Sequence, residues 1–312
     1  MQKYFREYQW SNIFSMVRNL KRDPEKCSAR FDNRLVVITG ATSGIGKAAA
    51  EKYAACGADI LCINRNEQKS NQLCDFISRE YEVNCDHLIA DFTRLSDVHA
   101  VAKKLSELDQ NIDVLIHNAG LFATRKTLTN DNLEMVFQVD YLASFILNYY
   151  TKEKFIKQGT GRILFVNSEA HRFAVWGLHL DDLAWDKRRY SGSKSYGAAK
   201  LAQLLSMIEL QKFLAGSGVT INAMHPGNVK TNSGQNNGPL YKFIKKNTVD
   251  KSARNAGISA EALYYLGVSD KLDKITGKFF NLTTEEEPAP PALDKDAAKE
   301  LWEISIKIGG LQ

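Results

Sequence analysis

Short apolar runs alternate with longer amphipathic stretches along most of the chain. Leu35-Val36-Val37-Ile38, Ile60-Leu61-Cys62-Ile63, His87-Leu88-Ile89-Ala90, Val114-Leu115-Ile116, Ile163-Leu164-Phe165-Val166 and Val219-Thr220-Ile221-Asn222-Ala223-Met224 read as strands. Helix-forming segments separate them: from Lys47 to about Cys56, about 68–81, about 96–108, about 133–155, and onward from near Ser195. Strands that alternate with helices predict a parallel sheet covered on both faces, a doubly wound α/β arrangement. Ala260 to Leu266 adds a helix and Gly277-Lys278-Phe279-Phe280 a strand, which makes the sheet about seven-stranded. Glu285-Glu286-Glu287 and Pro288-Ala289-Pro290-Pro291 read as an extended linker, because proline cannot sit inside a helix or a central strand. Lys295 to Ile308 reads as a closing helix, with Ala297, Leu301, Ile304 and Ile308 as its buried stripe and Trp302 beside it.

This pattern divides the 312 residues into a leader, 1–30, and a single domain, 31–312. Two stretches of that domain, 171–189 and 232–255, resist assignment. Long connections in compact domains are often functional, and both read as substrate loops, the second as a lid. In the leader, Trp10, Ile13, Phe14, Val17 and Leu20 fall at helical spacing, with Ser11, Asn12, Ser15, Asn19 and Arg22 opposite. The leader holds seven basic residues against three acidic ones, most of the chain's net charge of +5. The near-neutral remainder excludes a nucleic-acid-binding body. A basic amphipathic helix suits peripheral contact with an anionic membrane surface, but packing on the enzyme body or on a second copy of the chain in a homo-oligomer is the commoner fate of such a stripe.

No apolar run is long enough to cross a bilayer, and no cleavable signal is visible. The five cysteines, Cys27, Cys56, Cys62, Cys74 and Cys85, are odd in number and form no CxxC pair. They read as reduced thiols of a cytoplasmic protein, with neither a disulfide framework nor a zinc site expected.

The first strand leads into Thr39-Gly40-Ala41-Thr42-Ser43-Gly44-Ile45-Gly46 and then a helix. That context is the one a dinucleotide-binding turn requires. Gly40 permits the sharp turn, Gly44 the approach of a pyrophosphate, and Gly46 close packing of helix on strand. Backbone N–H groups from Ser43 to Gly46 and the positive end of the helix dipole then face the phosphates. An acid that would bind the ribose hydroxyls of NAD is expected about 20 residues later. Asn64, Arg65 and Asn66 stand there instead. A guanidinium pairs with a 2′-phosphate, so NADP(H) is expected in preference to NAD(H). Arg65, Asn66, Asp91 with Phe92 after it, and Asn118 all fall at carboxyl ends of predicted strands, where ligands bind in such sheets.

Ser168 ends the fifth strand, and Tyr196 and Lys200 lie four apart on one helix face. A phenol beside an ammonium has its pKa lowered and can serve as acid/base at a carbinol oxygen. A serine hydroxyl can hold that oxygen, while a nicotinamide supplies the hydride. Tyr190 and Lys194 share the same spacing, but Ser191-Gly192-Ser193 between them is a poor helix, which favours Tyr196.

Taken in order, Thr39-Gly40-xxx-Gly44-x-Gly46, Asn118-Ala119-Gly120, Ser168, Tyr196-xxx-Lys200 and Pro226-Gly227-x-Val229-x-Thr231 resemble the motif set of the short-chain dehydrogenase/reductases. Thr276–Phe280, Leu301–Ser305 and Arg65-Asn66 resemble its retinol-dehydrogenase-like and WW-domain-oxidoreductase-like branch. The resemblance implies a Rossmann fold and cofactor contacts from Pro226, Gly227, Val229 and Thr231, as well as from Tyr196 and Lys200. It also implies a hydrophobic alcohol or carbonyl as substrate. One position departs: where the family carries an asparagine that holds a relay water, this chain has Asp140. The expected function is an NADP(H)-dependent alcohol–carbonyl oxidoreductase. The alternative, motivated by Asp140 and the basic leader, is a protein that binds NADP(H) as a redox sensor without turnover.

Overall fold

The computed structural model describes residues 4, 7, 8, 18, 19, 22–229 and 254–311. Eight strands form one sheet: β1 (Leu35–Thr39), β2 (Asp59–Asn64), β3 (Cys85–Ile89), β4 (Val114–His117), β5 (Gly161–Val166), β6 (Val219–His225), β7 (Phe279–Asn281) and β8 (Thr284–Glu286), in the order β3-β2-β1-β4-β5-β6-β7-β8. The seven through β7 are parallel, and β8 pairs antiparallel with β7. The expected seven parallel strands are therefore present, with an eighth where a linker was predicted. Pairing with β7 through the two-residue turn Leu282-Thr283 holds three glutamate-rich residues extended. Pro290 and Pro291 open the 3₁₀ turn Pro290–Leu293, where a missing N–H costs nothing.

The central strands read as unbroken apolar runs because both their faces are covered. Along β1, Leu35 and Val37 enter one core and Val36 and Ile38 the other. The first core packs under α3 (Leu95–Ser106), α4 (Ala143–Gln158), α5 (Gly192–Leu214) and α7 (Lys295–Ile308). The second packs under α1 (Gly44–Ala55), α2 (Glu67–Tyr81) and α6 (Ala256–Val268).

Three boundaries differ from expectation. α5 begins at Gly192, so Ser191-Gly192-Ser193 does start a helix. A Cβ at Gly192 would lie 2.3 Å from the Ala123 carbonyl oxygen, so the glycine serves close backbone approach there despite its poor propensity. The helix expected over 133–155 contains a π-helical turn, Phe137–Leu142, and continues as Ala143–Gln158. On α7 the buried face is Ala298, Leu301, Trp302 and Ser305, about one residue round from the expected stripe, because Tyr141 Oη and Ser305 Oγ form a buried hydrogen bond at 2.7 Å.

Of the leader's amphipathic stripe, Trp10, Ile13, Phe14, Val17 and Leu20 lie outside the described residues. Several described leader residues contact the body. Tyr4 is buried, donates to Asp294 at 2.5 Å and abuts Gly177. Asn19 donates to Glu286 at 2.9 Å. No helix among the described residues is long and apolar enough to cross a membrane.

Candidate active site

Strand order reverses between β1 and its neighbours β2 and β4, and a crevice at the carboxyl ends of the strands follows from that topology. The glycine turn stands at this point. Gly40 and Gly44 take φ of +71° and +58°, which glycine adopts without strain. A Cβ on Gly46 would meet the Gly40 carbonyl oxygen and Asn118 Nδ2, each at 2.4 Å, whereas one on Gly44 would meet nothing within 4 Å. Packing is thus tight behind the turn and open in front of it, the shape a phosphate cradle needs. Ser43 caps α1 with no side-chain hydrogen bond, and the first turn carries no acid, so its N–H groups keep their capacity for an anion.

Side chains from neighbouring strand ends fix this loop. Asn64 Oδ1 accepts from Ala41 N at 2.7 Å. Thr39 Oγ1 accepts from Asn118 N and Ala119 N at 3.0 and 2.9 Å, and Asn118 Nδ2 donates to the carbonyls of Thr39 and Gly40 at 3.0 Å each. Arg65 is exposed just past β2, and Asn66 caps α2 by accepting from Lys69 N. Asp91 accepts from Thr93 N and Oγ1, and Phe92 is buried. These residues fit a dinucleotide: an open cradle and a helix N-terminus that carries no acid, with Arg65 exposed at the second strand end.

Ser168, two residues past β5, caps the turn Glu169–Phe173 by accepting from Ala170 N at 3.1 Å, and its hydroxyl proton remains available to another acceptor. His171 is buried beneath. Ala289 N donates to its Nε2 at 3.0 Å, so the ring proton sits on Nδ1 and is donated to the Ser168 carbonyl at 2.8 Å. Burial, helped by the Arg172 charge, lowers the His171 pKa to about 3, so the ring stays neutral and holds the turn.

Tyr196 is half-buried on α5, edge-on to Phe122 at 5.9 Å between ring centroids. Lys200 Nζ lies 5.5 Å from the Tyr196 ring centroid, donates to the Val166 carbonyl at 3.0 Å, and is 3.9 Å from Asp140 Oδ2. The other candidate pair has different surroundings. Tyr190 Oη donates to Glu134 at 3.1 Å, and Lys194 is exposed.

Asp140 sits in the π turn, fully buried, with Oδ1 accepting from Leu121 N at 2.7 Å and Oδ2 without a hydrogen-bond partner among the described residues. Burial pushes its carboxyl up to about 7 against the pull of Lys200, and burial lowers the lysine against the pull of Asp140. Sequence spacing missed two supports. Asn167 Nδ2 donates to the Lys200 carbonyl and to Gln203 Oε1, both at 2.9 Å, and Gln203 Nε2 donates to the Asp140 carbonyl at 2.6 Å. Their only signal is a polar residue on an otherwise apolar buried face. Beyond β6, Gly227 takes φ of +76°, Pro226 O accepts from Ser259 and Val229 is buried, whereas Thr231 lies outside the described residues. So does the predicted lid, apart from Arg254 and Asn255.

The short chain dehydrogenase family profile matches residues 34–179. Human retinol dehydrogenase 13 is 32% identical over 291 residues, 91% of this chain and 87% of that protein. Human WW domain-containing oxidoreductase is 29% identical over 89% of this chain and 68% of its own length. Among solved structures, an uncharacterised protein of Mycobacterium paratuberculosis superposes with a TM-score of 0.71 at 27% identity, covering 91% of this chain and 96% of that one. A short-chain dehydrogenase of Sphingobium yanoikuyae in complex with NADPH gives 0.59 at 25% identity, covering 75% and 83%. Motif order, sheet topology and these likenesses agree, and the chain belongs to the short-chain dehydrogenase/reductase family, in the branch of the retinol dehydrogenases and the WW domain-containing oxidoreductase.

Proposed function

We propose that this protein interconverts an alcohol and a carbonyl on a hydrophobic substrate, with NADP(H) as cofactor and Tyr196 as the acid/base. The observation that carries this reading is the buried Lys200 ammonium set under the Tyr196 ring, one turn from it on α5, beside Ser168 at the end of β5. A fixed positive charge favours the phenolate, which brings the phenol closer to working pH. The Ser168 hydroxyl donates to the substrate oxygen, and Tyr196 gives or takes the proton there. Asn167 and Gln203 hold the backbone of Lys200 and of Asp140 so that these charges keep their places. When bound, the nicotinamide supplies or accepts the hydride. Gly40, Ser43, Gly44, Ile45 and Gly46 hold the pyrophosphate, and Arg65 with Asn66 receives the 2′-phosphate. Asp91, Phe92 and Asn118 border the rest of the nucleotide, with Pro226, Gly227, Val229 and Thr231 at the nicotinamide end.

The apolar character of the substrate is supported by Phe173 and Trp176, which stand 59% and 49% exposed in the loop after Ser168. A panel of hydrophobic aldehydes and ketones, incubated with NADPH and separately with NADH, tests the proposal. NADPH consumption with at least one carbonyl, and slower consumption of NADH, is expected. Tight NADPH binding with no turnover across the panel would instead favour the redox-sensor reading.

A further inference from the structure

Far from the proposed catalytic groups, three cysteine side chains from three elements converge under α2, with His87 beside one of them. β3 pairs with β2 so that His87 lies opposite Cys62, and Cys85, two residues before His87, shares its face of the sheet. α2 lies over that face and contributes Cys74. The sulfurs of Cys62, Cys74 and Cys85 all lie within 4.8 Å of one another. Cys85 Sγ is 2.9 Å from Cys74 Sγ, and His87 Nδ1 is 3.8 Å from Cys74 Sγ.

We propose that Cys62, Cys74, Cys85 and His87 form a structural site for one thiophilic divalent cation, with zinc as its natural occupant. A buried lone cysteine behaves as a small apolar residue, but three thiols converging on one point, with an imidazole beside one of them, supply the donors of a metal-ligand set. Tetrahedral zinc, with bonds of about 2.3 Å to sulfur and 2.0–2.1 Å to nitrogen, places its ligands roughly 3.5–3.8 Å apart; the sulfur separations, from 2.9 Å to within 4.8 Å, bracket that value, and His87 completes the set from beside Cys74. Cys62 and Cys74 are buried, while Cys85 and His87 are half-buried on the edge strand, which leaves an entry path from the sheet edge. Binding replaces three S–H protons by one dication, so three protons leave and the site carries one net negative charge, with His87 neutral and ligating through Nδ1.

The site has work to do where it stands. β3 is the terminal strand of the sheet and has thin apolar cover, with Ile89 42% exposed. A metal there ties β3 and α2 to β2, whose last residue, Asn64, positions the glycine turn. The chain spacing of these residues carries no zinc signature, because they meet only through strand register, and the proposal revises the expectation of no zinc site.

The test uses the full chain, reduced, stripped with a chelator and titrated with Zn²⁺ against a chromophoric chelator, and in parallel with Co²⁺. One equivalent bound per chain, a raised melting temperature, and a cobalt spectrum with tetrahedral d–d bands and charge-transfer intensity for three thiolates are expected. Cys85→Ser should abolish stoichiometric uptake, His87→Ala should weaken it roughly 10- to 100-fold, and the Cys27→Ser/Cys56→Ser double variant should leave it unchanged. If Cys85→Ser does not fold, the wild-type cobalt spectrum decides alone by its thiolate count. Absence of uptake, uptake indifferent to Cys85→Ser in a folded variant, a thiolate count below three, or a Cys74–Cys85 disulfide forming in place of metal binding would overturn the proposal.

Discussion

Replacing Asp140 by asparagine removes the one buried carboxylate that sits beside Lys200, and the structure sets the size of the effect. The Asp140 carboxyl is fully buried and its pKa is raised from 3.8 to about 7. A carboxyl whose folded pKa is raised favours the folded state when protonated. Its contribution is intact below the unfolded value, near 4, and is lost as pH climbs through 7. At 1.36 kcal/mol per unit, the full loss is about 4 kcal/mol, more than half of it between pH 5 and pH 8. Against a typical domain stability of about 5–15 kcal/mol this is large. Asp140→Asn should therefore be about 2–3 kcal/mol more stable, relative to wild type, at pH 8 than at pH 5. Urea unfolding followed by circular dichroism at both pH values measures that difference, and comparison with wild type cancels the parallel contribution of Glu169, whose pKa burial also raises to about 7. Stability differences that do not change with pH would mean that the Asp140 carboxyl titrates alike in the folded and unfolded chain. The same substitution takes a titrating charge from beside Lys200, so the pH–rate profile should shift near pH 7; an unchanged profile would mean that Asp140 does not act on the tyrosine.

Two further outcomes follow from the cofactor side. Arg65→Ala should weaken NADPH binding roughly 10- to 100-fold, the worth of about 1.5–3 kcal/mol for a hydrogen bond to a charged group, and leave NADH binding unchanged in a fluorescence titration. Equal losses for both nucleotides would remove Arg65 from the 2′-phosphate. Gly46→Ala should lose NADPH binding and cost about 1–3 kcal/mol in thermal unfolding, since its Cβ meets backbone and Asn118 at 2.4 Å and the backbone cannot yield cheaply. Retained binding at wild-type stability would show that the turn tolerates a methyl group.

The parallel strands were legible because burial on both faces writes them as unbroken apolar runs, as in Val36-Val37-Ile38. The end of the sheet was not. β8 is three residues long, contains Glu285 and Glu286, and exists because β7 offers it a ladder. Gly192 misled for a related reason: propensity argues against a helix start, but a tertiary contact with Ala123 requires the absence of a side chain there. At the site, residue types at fixed spacing along one element could be read, as with Tyr196 and Lys200 on α5. Asn167 and Gln203 could not, since their roles are hydrogen bonds between elements. The Cys62, Cys74, Cys85 and His87 cluster was hidden the same way, by register rather than by chain spacing.

On the proposed function, Tyr196 moves the proton at the substrate oxygen while the glycine turn and its neighbours hold the nucleotide. The direct test is Tyr196→Phe, which keeps the ring against Phe122 and removes only the hydroxyl. NADPH affinity and carbonyl-dependent NADPH oxidation are measured on the same preparation, with the best substrate of the panel. Affinity within about twofold of wild type and a turnover rate lower by roughly 10²–10⁴-fold, the range of general acid–base catalysis, is the predicted result. A phenylalanine variant that turns over at the wild-type rate would contradict it.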